Sequence, residues 1–342
     1  MFLSYLLFAL GFALLVKGAD WLIEGAVVLA RKFSISEITI GLTVVAFGTS
    51  APELVVNVLS SLKTTGELVV SNIVGSNIAN LGLGLGVAGL VAPLVVRKSI
   101  IKKEIPMGLF GIMLIYLLAT HPGKLPDTLI ITRFGGLILL LGFASFLYFI
   151  YKAEKEGEIK KPEKEKLGLW FALLLTFVGL ACLAFGGELI VKNAIFIAEG
   201  WGVSEKLIGL TLVAIGTSLP ELVTSVVAAR KGKSDIAVGN IVGSNVFNIF
   251  WVLGVSAVIA PIHYSASLVA DLGILMAITI FFVAATFLGR SGSILFFWRK
   301  KNALDLLGKE NVLNRFGSAI LVITYFVYLG FVVWRGGNNG RF

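Results

Sequence analysis

Residues 36–87 and 204–255 align without a gap at a constant offset of 168. GLTVVAFGTSAPELV returns as GLTLVAIGTSLPELV, and SNIVGSNIAN returns as GNIVGSNVFN. Soluble solenoids need at least three short units to close a core, whereas two long apolar copies fit a polytopic membrane protein with internal repeats. The duplicated segment is therefore the functional unit.

Hydrophobic residues make up 57% of the chain, charged residues 14%, and mean hydropathy is +0.94. Runs of roughly 20 apolar residues, enough for a helix to cross about 30 Å of hydrocarbon, recur throughout. A transmembrane β-barrel would show alternating segments of about ten residues instead. The expected fold class is an all-α polytopic membrane protein. About ten spans are expected, near 1–30, 35–62, 67–93, 104–120, 127–151, 167–199, 204–229, 235–261, 265–289 and 313–335. The second, third, seventh and eighth are interrupted by Gly, Pro, Ser and Asn.

Five spans per half force the second half to enter from the opposite side, so the repeats are expected to be inverted. The halves would be 1–151 and 167–342, joined by the charged linker 152–166, KAEKEGEIKKPEKEK. Alternate connections carry 20 of the 29 basic residues, including Arg31, Lys32, Arg97, Lys231 and Lys233. By the positive-inside rule those connections and the linker are cytoplasmic and the N-terminus is outside. The net charge of +9 then reflects topology and anionic lipid, not nucleic acid. The first apolar run is too long for a cleaved signal. Cys182 is alone, which excludes an intramolecular disulfide and suits a small buried hydrophobe. ILFFWRKKNALDLL, within 290–311, reads either as an amphipathic surface helix or as a loop with an apolar patch.

Glu53 and Glu221 each fall in mid-span, each after Gly-Thr-Ser-x-Pro. An ionised carboxylate there costs several kcal/mol unless it is paired or wetted. Pro52 and Pro220 must break or kink the helix, which is expected to free carbonyls near Ala46 to Thr49 and Ala214 to Thr217. Those carbonyls, the hydroxyls of Thr49, Ser50, Thr217 and Ser218, and one carboxylate per copy form an all-oxygen set suited to Ca²⁺, Na⁺ or similar hard cations. No Cys or His lies near either motif. Ser76 and Asn80, like Ser244 and Asn248, are spaced i,i+4 on one helical face. Gly75 and Gly243 leave room for a neighbouring helix.

Glu53 and Glu221 are expected to face each other across the repeat interface, where a divalent ion, several monovalent ions or a proton would relieve their repulsion. Asp20 and Glu188 are also related by 168. Lys17 and Lys192 are spaced to neutralise them locally, so both read as structural. Asp271 has no acidic counterpart, and His121 and His263 fall near loops.

On the GTSxPE and GSNxxN motifs, the chain resembles the cation/calcium exchanger superfamily, and within it a prokaryotic sodium/calcium exchanger. The resemblance spans both repeats. It implies that Glu53, Glu221 and the carbonyls of Thr49 and Thr217 bind Ca²⁺. It also implies that Ser50, Ser76, Ser218, Ser244 and the carbonyls of Ala46 and Ala214 bind Na⁺ at flanking positions, with Asn80 in the middle. Asn248 stands where some members carry Asp, leaving two formal charges, which bears on K⁺ co-transport and Na⁺ stoichiometry. The Gly-Asn-x-x-Glu core of calcium/proton exchangers is absent.

The expected activity is antiport of Ca²⁺ against Na⁺ in a prokaryotic plasma membrane. The partners are the bilayer and the transported ions, with no cofactor and no protein partner implied. A proton-coupled or broader divalent antiporter and a passive channel are the alternatives. No His lies near the motifs to activate a Ser, so an enzyme is not expected.

Overall fold

A computed structural model of the chain describes residues 1–63, 66–119, 128–156, 167–202, 214–265, 268–288 and 311–338. Most of the 152–166 linker, the 290–311 segment apart from Asn311, His121 and the opening of the second repeat lie outside the described residues.

The first helix, α1 (Phe2–Lys32), leads into a broken span formed by α2 (Glu37–Thr49) and α3 (Ala51–Leu62), bent by 47°. Next come α4 (Gly66–Val91), strand β1 (Leu94–Val96), and α5 (Ile105–Ala119), entered through a π-helical turn at Ile100–Glu104. Strand β2 (Thr128–Ile131) and α6 (Arg133–Glu156) end the first half.

The second half holds α7 (Leu169–Gly200), the short α8 (Ala214–Gly216), α9 (Leu219–Arg230), α10 (Ser234–Ile259) and β3 (Ile262–Ser265). It finishes with α11 (Leu268–Leu288), β4 (Asn311–Leu313) and α12 (Arg315–Asn338). Among the described residues seven helices are long and apolar enough to cross a membrane, or eight counting the bent pair as one span. The expected spans 104–120 and 204–229 are not among them: α5 has 15 residues, and residues 203–213 are not described.

Packing follows the sequence duplication. Helices α1 and α7 occupy equivalent positions in the two copies, and they cross antiparallel along glycines. A Cβ on Gly11 would lie 2.9 Å from the Gly186 carbonyl oxygen, and one on Gly18 would lie 2.7 Å from that of Gly179. Gly25 meets Ala172 and Thr176 in the same way. Without Cβ atoms the two backbones touch, the means by which helices associate where no water drives them together.

The strands exchange across the halves too. β1 pairs antiparallel with β4 (Leu94 opposite Leu313), and β2 pairs with β3 (Ile131 opposite Ile262). Phe143 and Phe146 of α6 stack with Phe247 of α10, and Phe143 also meets Trp251, closing the aromatic part of the core.

The copies are not equally covered. Helix α1 lies along α9, and Val223 of α9 is 9% exposed while its repeat equivalent Val55 of α3 is 57% exposed. At the α9 end Lys231 meets the Asp20 carboxylate at 2.5 Å and donates to the Asp20 carbonyl at 3.2 Å. The expected local pair between Lys17 and Asp20 is therefore replaced by a tertiary one, because the α9 terminus delivers a lysine to that face of α1. No ion pair joins Glu188 to Lys192 among the described residues, and Glu188 is exposed. Asp271 is clasped by Arg335, with contacts of 2.7 and 3.2 Å, which gives it a structural role. Cys182 is half-buried, beside Gly18. His263 is exposed in β3.

Candidate cation-binding site

Both broken helices stop and restart in the same way. Ser50 (φ −84°, ψ 5°) and Ser218 (φ −89°, ψ 3°) leave helical geometry, and α3 and α9 resume with Pro52 and Pro220 in their first turns. Proline suits a helix start because its missing N–H falls among donors that are unpaired there anyway. It gives nothing to the carbonyls four residues back, Gly48 and Gly216. The Ala46 carbonyl, expected to be free, is not. It accepts the Ser50 N–H at 3.0 Å and the hydroxyls of Thr49 at 3.3 Å and Ser244 at 3.4 Å, because the turn continues to Ser50 before it breaks. Ala214 opens α8, next to the undescribed segment.

Around the breaks, hydroxyls and amides form a scaffold that repeats across the two copies. Thr49 shares its one hydroxyl proton between the Ala46 carbonyl and Asn240 Oδ1, the latter at 3.0 Å, and Thr217 donates to Asn72 Oδ1 at 3.4 Å. Thr49 lies 3.4 Å from Ser244 Oγ, and Thr217 lies 3.3 Å from Ser76 Oγ. Each contact joins one copy to the other, and adding 168 to one member of a pair while subtracting it from the other gives the other pair.

Four asparagines, Asn77, Asn80, Asn245 and Asn248, extend this pattern. Asn77 and Asn245 bond each other's backbone carbonyls, at 3.3 and 3.2 Å. Asn80 Nδ2 donates to Asn245 Oδ1, and Asn248 Nδ2 to Asn77 Oδ1, each at 3.0 Å. Reciprocity of this kind is the mark of an isologous, two-fold contact. Asn80 and Asn248 both sit in π-helical turns, Asn80–Leu85 and Phe247–Val252, a distortion frequent at functional sites. Asn72, Asn77, Asn240 and Asn245 are not among the residues expected from sequence, and their duplication at the offset of 168 is the signal that marks them.

The symmetry fails at the carboxylates. Ser50 donates to Glu221 Oε1 at 2.9 Å, with Ser244 Oγ at 3.5 Å. The equivalent Ser218 hydroxyl makes no hydrogen bond, and neither oxygen of Glu53 makes one. Both glutamates are 0% exposed, and no ion pair among the described residues includes either.

Six oxygens of the expected site residues are thus buried without hydrogen bonds, Glu53 Oε1 and Oε2, Glu221 Oε2, Asn80 Oδ1, Asn248 Oδ1 and Ser218 Oγ, as are Asn57 Oδ1 and Thr224 Oγ1 further along α3 and α9. Orphaned buried groups cost about 1–3 kcal/mol each, more when charged, so such a cluster needs a ligand that accepts oxygen lone pairs. Hard cations do this, with up to eight oxygens for Ca²⁺. The donor set fits them: two carboxylates for charge, amide and hydroxyl oxygens for coordination, no imidazole or thiolate. Gly243 permits the close approach of α10, since its Cβ would lie 2.7 Å from the Leu42 carbonyl oxygen. Gly75 does not serve this purpose, having nothing within 4 Å of its Cβ position.

Residues 3–152 and 171–334 match the family model described as sodium/calcium exchanger protein. The sodium/calcium exchanger MaX1 of Methanosarcina acetivorans is 33% identical over 76% of this chain and 84% of its own length. The putative antiporter CaxA of Alkalimonas amylolytica is 36% identical over 82% of this chain and 88% of its own. Among solved structures, the sodium-calcium exchanger NCX_Mj soaked with Na⁺ and Ca²⁺ superposes with a TM-score of 0.75 at 28% identity, covering 96% of this chain and 98% of that one. With nearly the whole length matched in sequence and fold, the chain is a multi-pass membrane protein that belongs to the sodium/calcium exchanger family.

Proposed function

We propose that this protein is a secondary antiporter that exchanges Ca²⁺ for Na⁺ by alternating access at the site between the two repeats. The observation that carries this reading is the cluster of six unbonded buried oxygens around Glu53 and Glu221. Ca²⁺ would take Glu53, Glu221 and the carbonyls of Thr49 and Thr217. Na⁺ ions would take Ser50, Ser76, Ser218 and Ser244 with the carbonyl of Ala214, the Ala46 carbonyl joining only by releasing the hydroxyls of Thr49 and Ser244, and Asn80 and Asn248 would line the centre. Two carboxylates balance one Ca²⁺ or the charge of two Na⁺. The ions therefore compete for one set of oxygens, which is the physical basis of exchange.

The proposed architecture is ten spans in two inverted halves, with the N-terminus outside. Antiparallel packing of the equivalent helices α1 and α7 and the exchange of strands between halves support the inversion. Arg97 bonds Asp235, Lys233 bonds Glu37 at 2.7 Å and Lys231 bonds Asp20, so basic residues assigned to the cytoplasmic side gather with acids from both halves.

Radiolabelled Ca²⁺ uptake into proteoliposomes loaded with Na⁺ and diluted into Na⁺-free buffer tests the reading. Uptake should require internal Na⁺ and vanish in Glu53→Gln. The likeness to a putative antiporter whose coupling ion is not stated makes a pH-gradient arm necessary. Uptake driven by that gradient alone would assign proton coupling instead, and flux indifferent to both gradients would overturn antiport.

A further inference from the structure

On the face of the asparagine quartet formed by Asn77 and Asn245 lies a separate cavity of about 30 Å³. It has room for one or two waters or one small ion. Glu104, Gly108 and Thr279 also line it, and no other titratable side chain does.

Glu104 is 7% exposed, and its Oε2 makes no hydrogen bond. It caps no helix end, because the π-helical turn at Ile100–Glu104 runs directly into α5. The neighbouring Lys102 and Lys103 are exposed, and no ion pair among the described residues includes Glu104. Nothing in the exchange site uses this carboxylate, yet a buried charge needs a partner.

Most of the remaining lining is apolar, including Leu81, Ile105 and Phe282, and its neutral side-chain oxygens come from Thr279, Asn77 and Asn245. Thr279 donates its hydroxyl to the Leu275 carbonyl at 2.7 Å, which leaves its lone pairs for the cavity. Asn77 Oδ1 and Asn245 Oδ1 each accept one bond, from Asn248 and Asn80, and retain a second lone pair. One carboxylate among neutral oxygens balances one positive charge.

We propose that Glu104, with Thr279 and the backs of Asn77 and Asn245, forms a second cation site that takes a single small monovalent cation, Na⁺ or H⁺. Its occupant touches the same amides that orient Asn80 and Asn248, so filling it bears on the geometry of the exchange site.

The test removes the exchange site and asks what remains. In purified full-length Glu53→Gln/Glu221→Gln protein, equilibrium binding of radiolabelled Na⁺ should retain about one ion per chain. Adding Glu104→Gln should weaken that binding about tenfold or more. Loss of Na⁺ binding on adding Glu104→Gln identifies a sodium site. Absence of Na⁺ binding together with an infrared carboxylic-acid band that persists at about neutral pH, well above the ordinary glutamate range, and disappears with Glu104→Gln identifies a proton site. Gly108→Leu provides a variant that leaves Glu104 intact. The position of its Cβ has open space, and a leucine there would fill the cavity and remove the same signal. Na⁺ binding unchanged by Glu104→Gln, with no Glu104 carboxylic-acid band at about neutral pH, would overturn the proposal. Because the exchange site is disabled in both arms, the outcome is independent of which ion that site transports.

Discussion

Ser50 donates its hydroxyl to Oε1 of Glu221 at 2.9 Å, reaching from the break in one repeat to the acid of the other. Its counterpart Ser218 leaves Glu53 with no hydrogen bond at all. Two copies of the same motif thus present one carboxylate held by the protein and one left for a ligand.

That difference separates the two acids experimentally. Glu53→Gln and Glu221→Gln should each abolish Ca²⁺ uptake, since either leaves a single charge opposite a divalent ion. Ser50→Ala removes one bond to a charged acceptor, worth about 1.5–3 kcal/mol. It should weaken the Ca²⁺ dependence of uptake about tenfold or more without eliminating it. Calcium titrations of exchange in proteoliposomes check both, and wild-type behaviour of Glu53→Gln would refute the site.

Asn77 and Asn245 should matter without touching the ion. Asn77→Ala strips Asn248 Nδ2 of its acceptor, and Asn245→Ala does the same for Asn80. Each should weaken ion binding about tenfold. The double variant should cost less than the sum of the two, because the first substitution already breaks the reciprocal pair. Additive losses in a double-mutant cycle would show that the two amides act independently.

The glycines of the duplicated GSN motif should respond differently to the same change. Gly75→Ala meets open space in mid-helix and should stabilise by about 0.5–1 kcal/mol. Gly243→Ala drives a Cβ to 2.7 Å from Ala46 Cβ and the Leu42 carbonyl and should destabilise by about 1–3 kcal/mol. Thermal unfolding of the two variants in the same detergent is the check, and equal shifts would contradict the packing described.

Asn248→Asp places a carboxylate opposite Asn77 Oδ1, oxygen against oxygen, unless the Asn77 amide turns over. The ion-free protein should lose about 1–3 kcal/mol. Added Ca²⁺ should raise its melting temperature more than it raises that of the wild type, since a ligand stabilises by binding the folded state. A smaller Ca²⁺-induced shift than in the wild type would count against Asn248 lining the site.

How much was legible in advance depended on whether a residue acts locally. Pro52 and Pro220 announce their breaks because a proline lacks an amide proton wherever it sits. Glu53 and Glu221 stand out because carboxylates are costly at membrane depth. Asn77 and Asn245 gave no such sign: an amide in a membrane helix ordinarily packs, and what these two do depends on a partner 168 residues away. Lys17 looked like the partner of Asp20 by helical spacing, but Lys231 arrives from 211 residues away. The Ala46 carbonyl was expected to be free because the proline rule removes one particular bond, while the hydroxyls of Thr49 and Ser244 come from geometry that the rule does not contain.

The glycine-lined crossing of α1 and α7 bears on energy as well as packing. Exchanging the two copies through the offset of 168 turns the contact of Gly11 with Gly186 into that of Gly179 with Gly18, so the crossing is its own mirror in sequence. A conformation in which the halves trade roles would rebuild these two glycine contacts from the same atoms, but it would set Asn193 against Ser4 and Phe8 where Gly25 now meets Ala172 and Thr176. The paired glycines therefore give no bias toward either state, and the Gly25 end does. The balance between the two is left to that end and to the other places where the copies differ, such as Asn57 against Ser225 or Lys63 and Glu188 against Lys231 and Asp20, and small substitutions there should shift it.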